Sequence, residues 1–119
     1  MATNRKARHE FEVMDTLEAG LVLKGPEVKS LREGQVAFRD AFARVDRGEA
    51  WLYNLHISPY DPANVWNVDP DRERKLLLNR QEIRRVAAAV DEKGLTLVPM
   101  DIYFRGGVAK VTLAIARGR

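Results

Sequence analysis

The chain has 119 residues, 45% of them hydrophobic, with 20 basic and 17 acidic side chains and a net charge of +3. That length suits one domain spanning residues 1–119 around a single core, and the apolar content excludes a mainly disordered chain. There is no cysteine, which removes disulfides, thiolate zinc sites and cysteine nucleophiles and fits a reducing cytoplasm.

Residues 1–10 are polar and basic, with Arg5, Lys6, Arg8 and His9 close together. Residues 11–23 read as one or two strands, interrupted near Glu18-Ala19-Gly20 and ending in Leu21-Val22-Leu23. "GPEVKSLREG" predicts a short helix. Gly25 serves as N-cap, Pro26 suits a first turn that has no N–H partner to lose, and Glu27 sits at the positive end of the dipole. Val28 and Leu31 give it one apolar edge, and Gly34 stops it.

Residues 36–45 and 50–57 read as a hairpin across "DRGE", which carries the glycine that a tight turn needs. Trp51, Tyr53, Leu55 and Ile57 alternate with Leu52, Asn54 and His56, the period of a half-buried strand. Residues 58–71 hold Pro59, Pro62 and Pro70 and read as a loop.

In "RERKLLLNR" a cationic cluster lies directly against three leucines. Asn79 and Glu82 form a capping box, with Leu78 and Ile83 spaced as a hydrophobic staple. Ile83, Val86, Ala87 and Val90 continue the helical period to Lys93 and a stop at Gly94. Arg72, Arg74, Lys75 and Arg80 then project around a rigid corner with an apolar centre, a surface suited to folded RNA. The plainer reading is a charged helix start balanced by Asp69, Asp71 and Glu73. Residues 95–104 and 108–116 are two strands joined by "RGG", and Pro99 places a bulge or a sheet edge in the first.

Short connections imply antiparallel pairing. The fold expected is mainly β, an OB-fold-like antiparallel barrel of about six strands with two or three added helices.

The modest charge excess matters through its placement at residues 5–9, 72–85 and 117–119. Arginine outnumbers lysine 14 to 6, and its planar fork suits phosphate and stacking contacts. Phe38, Phe42, Trp51 and Tyr53 are strand residues, expected mostly in the core, with a stacking platform as the alternative. His56 reads as structural; His9 is either solvated or available to a base or phosphate. The histidines share no metal spacing, no phosphate-binding glycine loop occurs, and no carboxylate pair is placed for acid–base work. No metal, cofactor or enzymatic activity is expected. No apolar run approaches the roughly 18 residues of a membrane span, and no signal-peptide stretch follows the start. The chain reads as cytosolic.

"NRKARHEF", "EAGLVLKGPEVKSLREG", "RERKLLLNRQEI", "KGLTLVP" and "KVTLAIARGR" resemble, in order, segments of the small protein B (SmpB) family, along nearly the whole chain. The resemblance implies a non-enzymatic OB-fold adaptor. Such an adaptor binds the tRNA-like domain of transfer-messenger RNA (tmRNA, SsrA RNA). It takes that RNA to the decoding region of stalled ribosomes for trans-translation, with elongation factor Tu travelling on the alanyl-charged RNA.

The resemblance places RNA contacts at Asn4, Glu18 and Leu77. Arg74 and Lys75 would grip phosphates, Arg5, Lys6, Arg8 and His9 would extend the same face, and Lys110 would face RNA or ribosome. Two departures stand out: Pro26 replaces a common tryptophan, and the family's basic C-terminal tail is absent after Arg119. Either the chain was cut there or it is naturally short; if cut, the resemblance implies RNA binding but no tagging. The alternative is a generic OB-fold module for single-stranded nucleic acid, which would need exposed aromatics across the barrel face.

Overall fold

A computed structural model describes residues 2–59 and 68–119. The elements in chain order are β1 (Ala2–Thr3), α1 (Arg5–Glu10), β2 (Phe11–Leu21), α2 (Gly25–Arg32), β3 (Val36–Ala37), β4 (Phe42–Asp46), β5 (Glu49–Tyr53), β6 (His56–Ile57), β7 (Arg74–Leu77), α3 (Arg80–Lys93), β8 (Thr96–Arg105) and β9 (Val108–Gly118). Antiparallel neighbours run β8-β4-β5-β7-β2-β9, and β9 pairs back onto β8. The sheet is therefore a closed six-stranded ring, which leaves it no free edge except where the short β1 joins β8. This is the mainly β, OB-like barrel that the sequence implies.

Alternation decides which residues fill the ring. Leu17, Ala19 and Leu21 of β2, Ala43 of β4, Ala50 and Leu52 of β5, Leu76 of β7, Leu97 and Ile102 of β8, and Val111, Leu113 and Ile115 of β9 form the interior. Val86 and Ala89 of α3 and Leu31 of α2 join the same cluster, so both helices pack on the barrel through narrow apolar edges. A second small cluster lies outside the ring, where Ala7 of α1 covers Val98, Met100, Ala114 and Ala116. A six-residue helix is marginal alone; this packing and the Asn4 cap hold it.

The 80–93 helix follows its sequence signals. The Asn79 side chain accepts from the Glu82 N–H, Glu82 accepts from the Asn79 N–H, and Gly94 ends the helix at φ +66°. Asn79→Ala should cost about 1 kcal/mol, the usual worth of such a cap, read as a lower urea midpoint with an unchanged slope. The "RGG" turn places Gly106 and Gly107 at φ +58° and +79°, the left-handed pair that a two-residue hairpin turn requires. Pro99 precedes a bulge before Asp101, in a strand paired on both sides, so of the two readings the bulge is correct.

Several expectations need correction. The 11–23 segment is one uninterrupted strand to Leu21, irregular only around Met14. The basic arm holds a helix, because Asn4 caps it and Ala7 supplies an apolar contact.

The 36–57 hairpin is split. Arg39 at φ +48° turns the first arm, and Asn54 at φ +64° reverses the phase of the second. Leu52, Leu55 and Ile57 are consequently all buried, while Trp51 and Tyr53 lie on the outside of the barrel, half-buried. Phe42 and Phe38 are half-buried as well; Phe38 packs against the core cluster as expected, whereas Phe42 stacks on Tyr53. The proline-rich loop expected at 58–71 falls partly outside the described residues.

Candidate nucleic-acid interface

The corner at "RERKLLLNR" is a strand before it is a helix. In β7, Leu76 points into the barrel and Leu77 points out, 54% exposed. Arg74, two residues from Leu76, also points in and is 0% exposed. Its Nε donates to Glu27 at 2.7 Å, its Nη1 to the carbonyls of Leu55 (2.5 Å) and Arg72 (3.2 Å), and its Nη2 to that of Pro70 (2.9 Å).

Arg72 closes on the same carboxylate with bonds of 3.1 and 2.5 Å, and Glu27 also accepts from the Lys24 N–H at 2.9 Å. Burial pushes the Glu27 carboxyl up, but the bonds from Arg72, Lys24 and Arg74 outweigh it and hold the carboxyl below its ordinary value. Burial pulls the Arg74 guanidinium down while Glu27 pulls it back.

Arg74 therefore does not grip phosphate. A guanidinium fully enclosed by carbonyls and a carboxylate has no face for RNA, so that expected role is withdrawn.

Outside the ring, the pairing registers assemble a row across four strands. Leu77 stands opposite Gly20, Gly20 opposite Lys110, and Lys110 opposite Tyr103. Residues directly opposite share a face, so these four form one line over β7, β2, β9 and β8. A Cβ on Gly20 would lie 3.2 Å from the Leu77 Cβ and 3.3 Å from its Cδ1. The leucine thus rests on the glycine backbone.

The adjacent row is Glu18–Thr112–Asp101. Glu18 accepts from the Tyr103 hydroxyl and pairs with Arg105 at 3.1 Å. The hydrogen bond to Glu18, with some burial, raises the Tyr103 phenol above its usual value. Asp101 receives Arg8 of α1 at 3.5 Å and the Thr3 hydroxyl at 3.1 Å. A shallow groove lined by Arg8, Val13, Thr16, Met100, Asp101 and Arg119 continues the same face.

The expected site residues divide accordingly. Glu18, Leu77, Lys110 and Arg8 share the continuous outer face. Lys75 borders it, two residues before Leu77, bound to Glu49 at 3.0 Å. Arg5, Lys6 and His9 are exposed on α1, but Lys6 turns to Asp40 (3.4 Å) and Glu10 (3.9 Å), away from Arg8.

Asn4 is 5% exposed. Its Oδ1 accepts from the Ala7 N–H, and its Nδ2 donates to the Pro99 carbonyl. It positions α1 on β8 and has little surface to offer a ligand. His56, expected to be structural, bonds Asp71 at 2.7 Å and, with Arg39 nearby, holds that carboxyl below its ordinary value.

Gly20, Tyr103 and Arg105 escaped the sequence reading. They meet Leu77 and Glu18 only through strand register, and no local pattern marks them.

A closed barrel whose exterior sets an exposed leucine in line with a lysine, with arginines at its margins, defines a small nucleic-acid-binding β-barrel. A family model, "SmpB protein", matches residues 1–119. The chain is 56% identical to an SsrA-binding protein of Caldicellulosiruptor saccharolyticus over 119 residues, all of this chain and 75% of that protein. It is 52% identical to an SsrA-binding protein of Carboxydothermus hydrogenoformans, again over all of this chain and 80% of that one. A solved structure described as "tmRNA-SmpB: a journey to the center of the bacterial ribosome" superposes with a TM-score of 0.83 at 55% identity, covering 98% of this chain and 82% of that chain. The chain belongs to the SmpB family.

Proposed function

We propose that this protein binds the tRNA-like domain of tmRNA (SsrA RNA) and delivers it to stalled ribosomes for trans-translation, as an adaptor without catalysis, working in the cytoplasm as one RNA-binding unit. Elongation factor Tu joins through the alanyl-charged RNA. The observation that carries the reading is the unbroken outer face from Arg8 through Asp101, Thr112 and Glu18 to Lys110, Gly20 and Leu77.

Folded RNA presents shape, 2′-hydroxyls and splayed loop bases. A stiff barrel meets such an object with fixed points: an exposed leucine for an unstacked base or ribose, and cations for phosphates. Family membership and the likeness to a structure that names tmRNA and the ribosome support the same reading. A generic single-strand binder would line this face with rings; its two central rows carry one, Tyr103, tied through its hydroxyl to Glu18, beside Leu77, Gly20, Lys110, Glu18, Thr112 and Asp101.

A gel shift of a tRNA-like tmRNA fragment against an unstructured oligonucleotide of equal length tests the reading. At one fixed salt concentration the fragment should bind at least about tenfold tighter, or roughly 1.4 kcal/mol. Equal affinity for the two would overturn it.

A further inference from the structure

On the barrel flank next to the docking face, three strands place a ring between two cations. Arg44 of β4 stands opposite Trp51 of β5, and Trp51 stands opposite Lys75 of β7. All three lie outside the ring, since Ala43, Ala50, Leu52 and Leu76 are the buried neighbours. Arg44 is exposed and reaches over a ring. Its guanidinium lies 5.0 Å from the Tyr53 ring centre, and Tyr53 is itself stacked on Phe42 at 5.2 Å with an 18° tilt. Trp51, by contrast, is half-buried on the outer side and has no ring partner among the described residues. A cation over a ring, an indole with no ring partner among the described residues and a lysine next to it match the chemistry of an unpaired RNA strand, whose bases stack on rings while its phosphates meet arginine and lysine.

We infer that Trp51, flanked by Arg44 and Lys75, is a stacking site for an unpaired segment of the same RNA that the Leu77 face holds. The inference rests on the proposed function and adds a second contact to it. The source is argued from continuity. Lys75 is two residues from Leu77, roughly 7 Å along the strand, and Trp51 is one strand further, roughly 5 Å. A strand leaving an element docked on Leu77 thus reaches Trp51 directly over Lys75. The Lys75–Glu49 pair does not block this path, because an exposed ion pair of this kind is worth little and yields readily to phosphate.

The chain holds two tryptophans, so a Trp66→Phe background leaves Trp51 as the sole indole reporter. A tRNA-like tmRNA fragment is titrated with and without a short uridine extension at the end of its stem. The extension should quench Trp51 fluorescence and tighten binding by roughly tenfold, the worth of one stacked base. Trp51→Ala and Arg44→Ala should remove that gain while keeping the affinity for the unextended fragment, and Trp51→Phe should keep most of the gain.

An extension that neither quenches nor tightens overturns the inference. So does a gain that survives Trp51→Ala, or quenching by free uridine oligonucleotide with no gain from the extension, which would place the strand in another RNA. Loss of unextended-fragment binding in Trp51→Ala also overturns it, because Trp51 would then belong to the primary face. Failure of the unextended fragment to bind the unsubstituted background would instead strike the proposed function.

Discussion

Arg74→Ala should destabilise the protein by about 3–5 kcal/mol, the largest single-residue loss expected outside the apolar core. Three effects combine. Glu27 loses its innermost cation, the Leu55 and Pro70 carbonyls lose their donor, and a cavity opens where a fully buried side chain stood. Unsatisfied buried acceptors cost about 1–3 kcal/mol each. Glu27→Gln should fall in a similar range, since it leaves the Arg74 charge buried without a counter-charge. Arg72→Ala should cost less, because Arg72 is partly exposed and Glu27 keeps Arg74.

Urea unfolding of the three variants checks the ranking. A loss below about 1 kcal/mol for Arg74→Ala would show that Glu27 and Arg74 do not tie α2, the 68–74 segment and β7 together.

The same carboxylate sets an acid limit. Glu27 is held below its ordinary value in the folded protein, so its stabilisation is complete above the unfolded carboxyl value near pH 4.3 and is lost as pH falls through the lower folded value. Asp71, held low by His56, acts with the same sign. The urea midpoint should therefore decline below about pH 4.3, and decline less steeply in Glu27→Gln.

Leu77→Asp should have the largest effect on RNA binding, a loss of about tenfold to a hundredfold, or roughly 1.4–2.8 kcal/mol. The substitution removes the apolar knob in the row with Gly20 and Lys110 and puts a negative charge where phosphates approach. Stability should shift by no more than about 0.5 kcal/mol, because Leu77 is mostly exposed and its strand pairing is backbone. Filter binding and a melting curve on one preparation decide the matter: unchanged RNA affinity would remove Leu77 from the interface. Arg74 and Leu77, three residues apart, thus predict opposite phenotypes, one losing the fold and the other losing the ligand.

How much of this was legible in the sequence follows from the range of each signal. Helix α3 was read to its ends because a capping box and a stop glycine act within a few residues. The two glycine turns were legible for the same reason. The barrel was readable as a class, since short connections force antiparallel pairing.

Arg74 was misread because its alternation with Leu76 marks it as inward-facing, yet nothing nearby announces a carboxylate 47 residues earlier to receive it. The phase of Trp51 and Tyr53 was misread because Asn54 carries a left-handed backbone that pattern alone does not reveal. Tyr103 and Arg105 reach Glu18 across 85 and 87 residues, a pairing fixed by register between strands and invisible to periodicity within either one.

The seat beneath Leu77 carries a consequence for variation among relatives. A methyl group at position 20 would press on the leucine stem at 3.2 Å and displace it slightly, changing the contour offered to RNA with Leu77 itself unchanged. Substitutions at this one outer-face position, covered by Leu77, would therefore tune recognition silently, through a hydrogen atom exchanged for carbon.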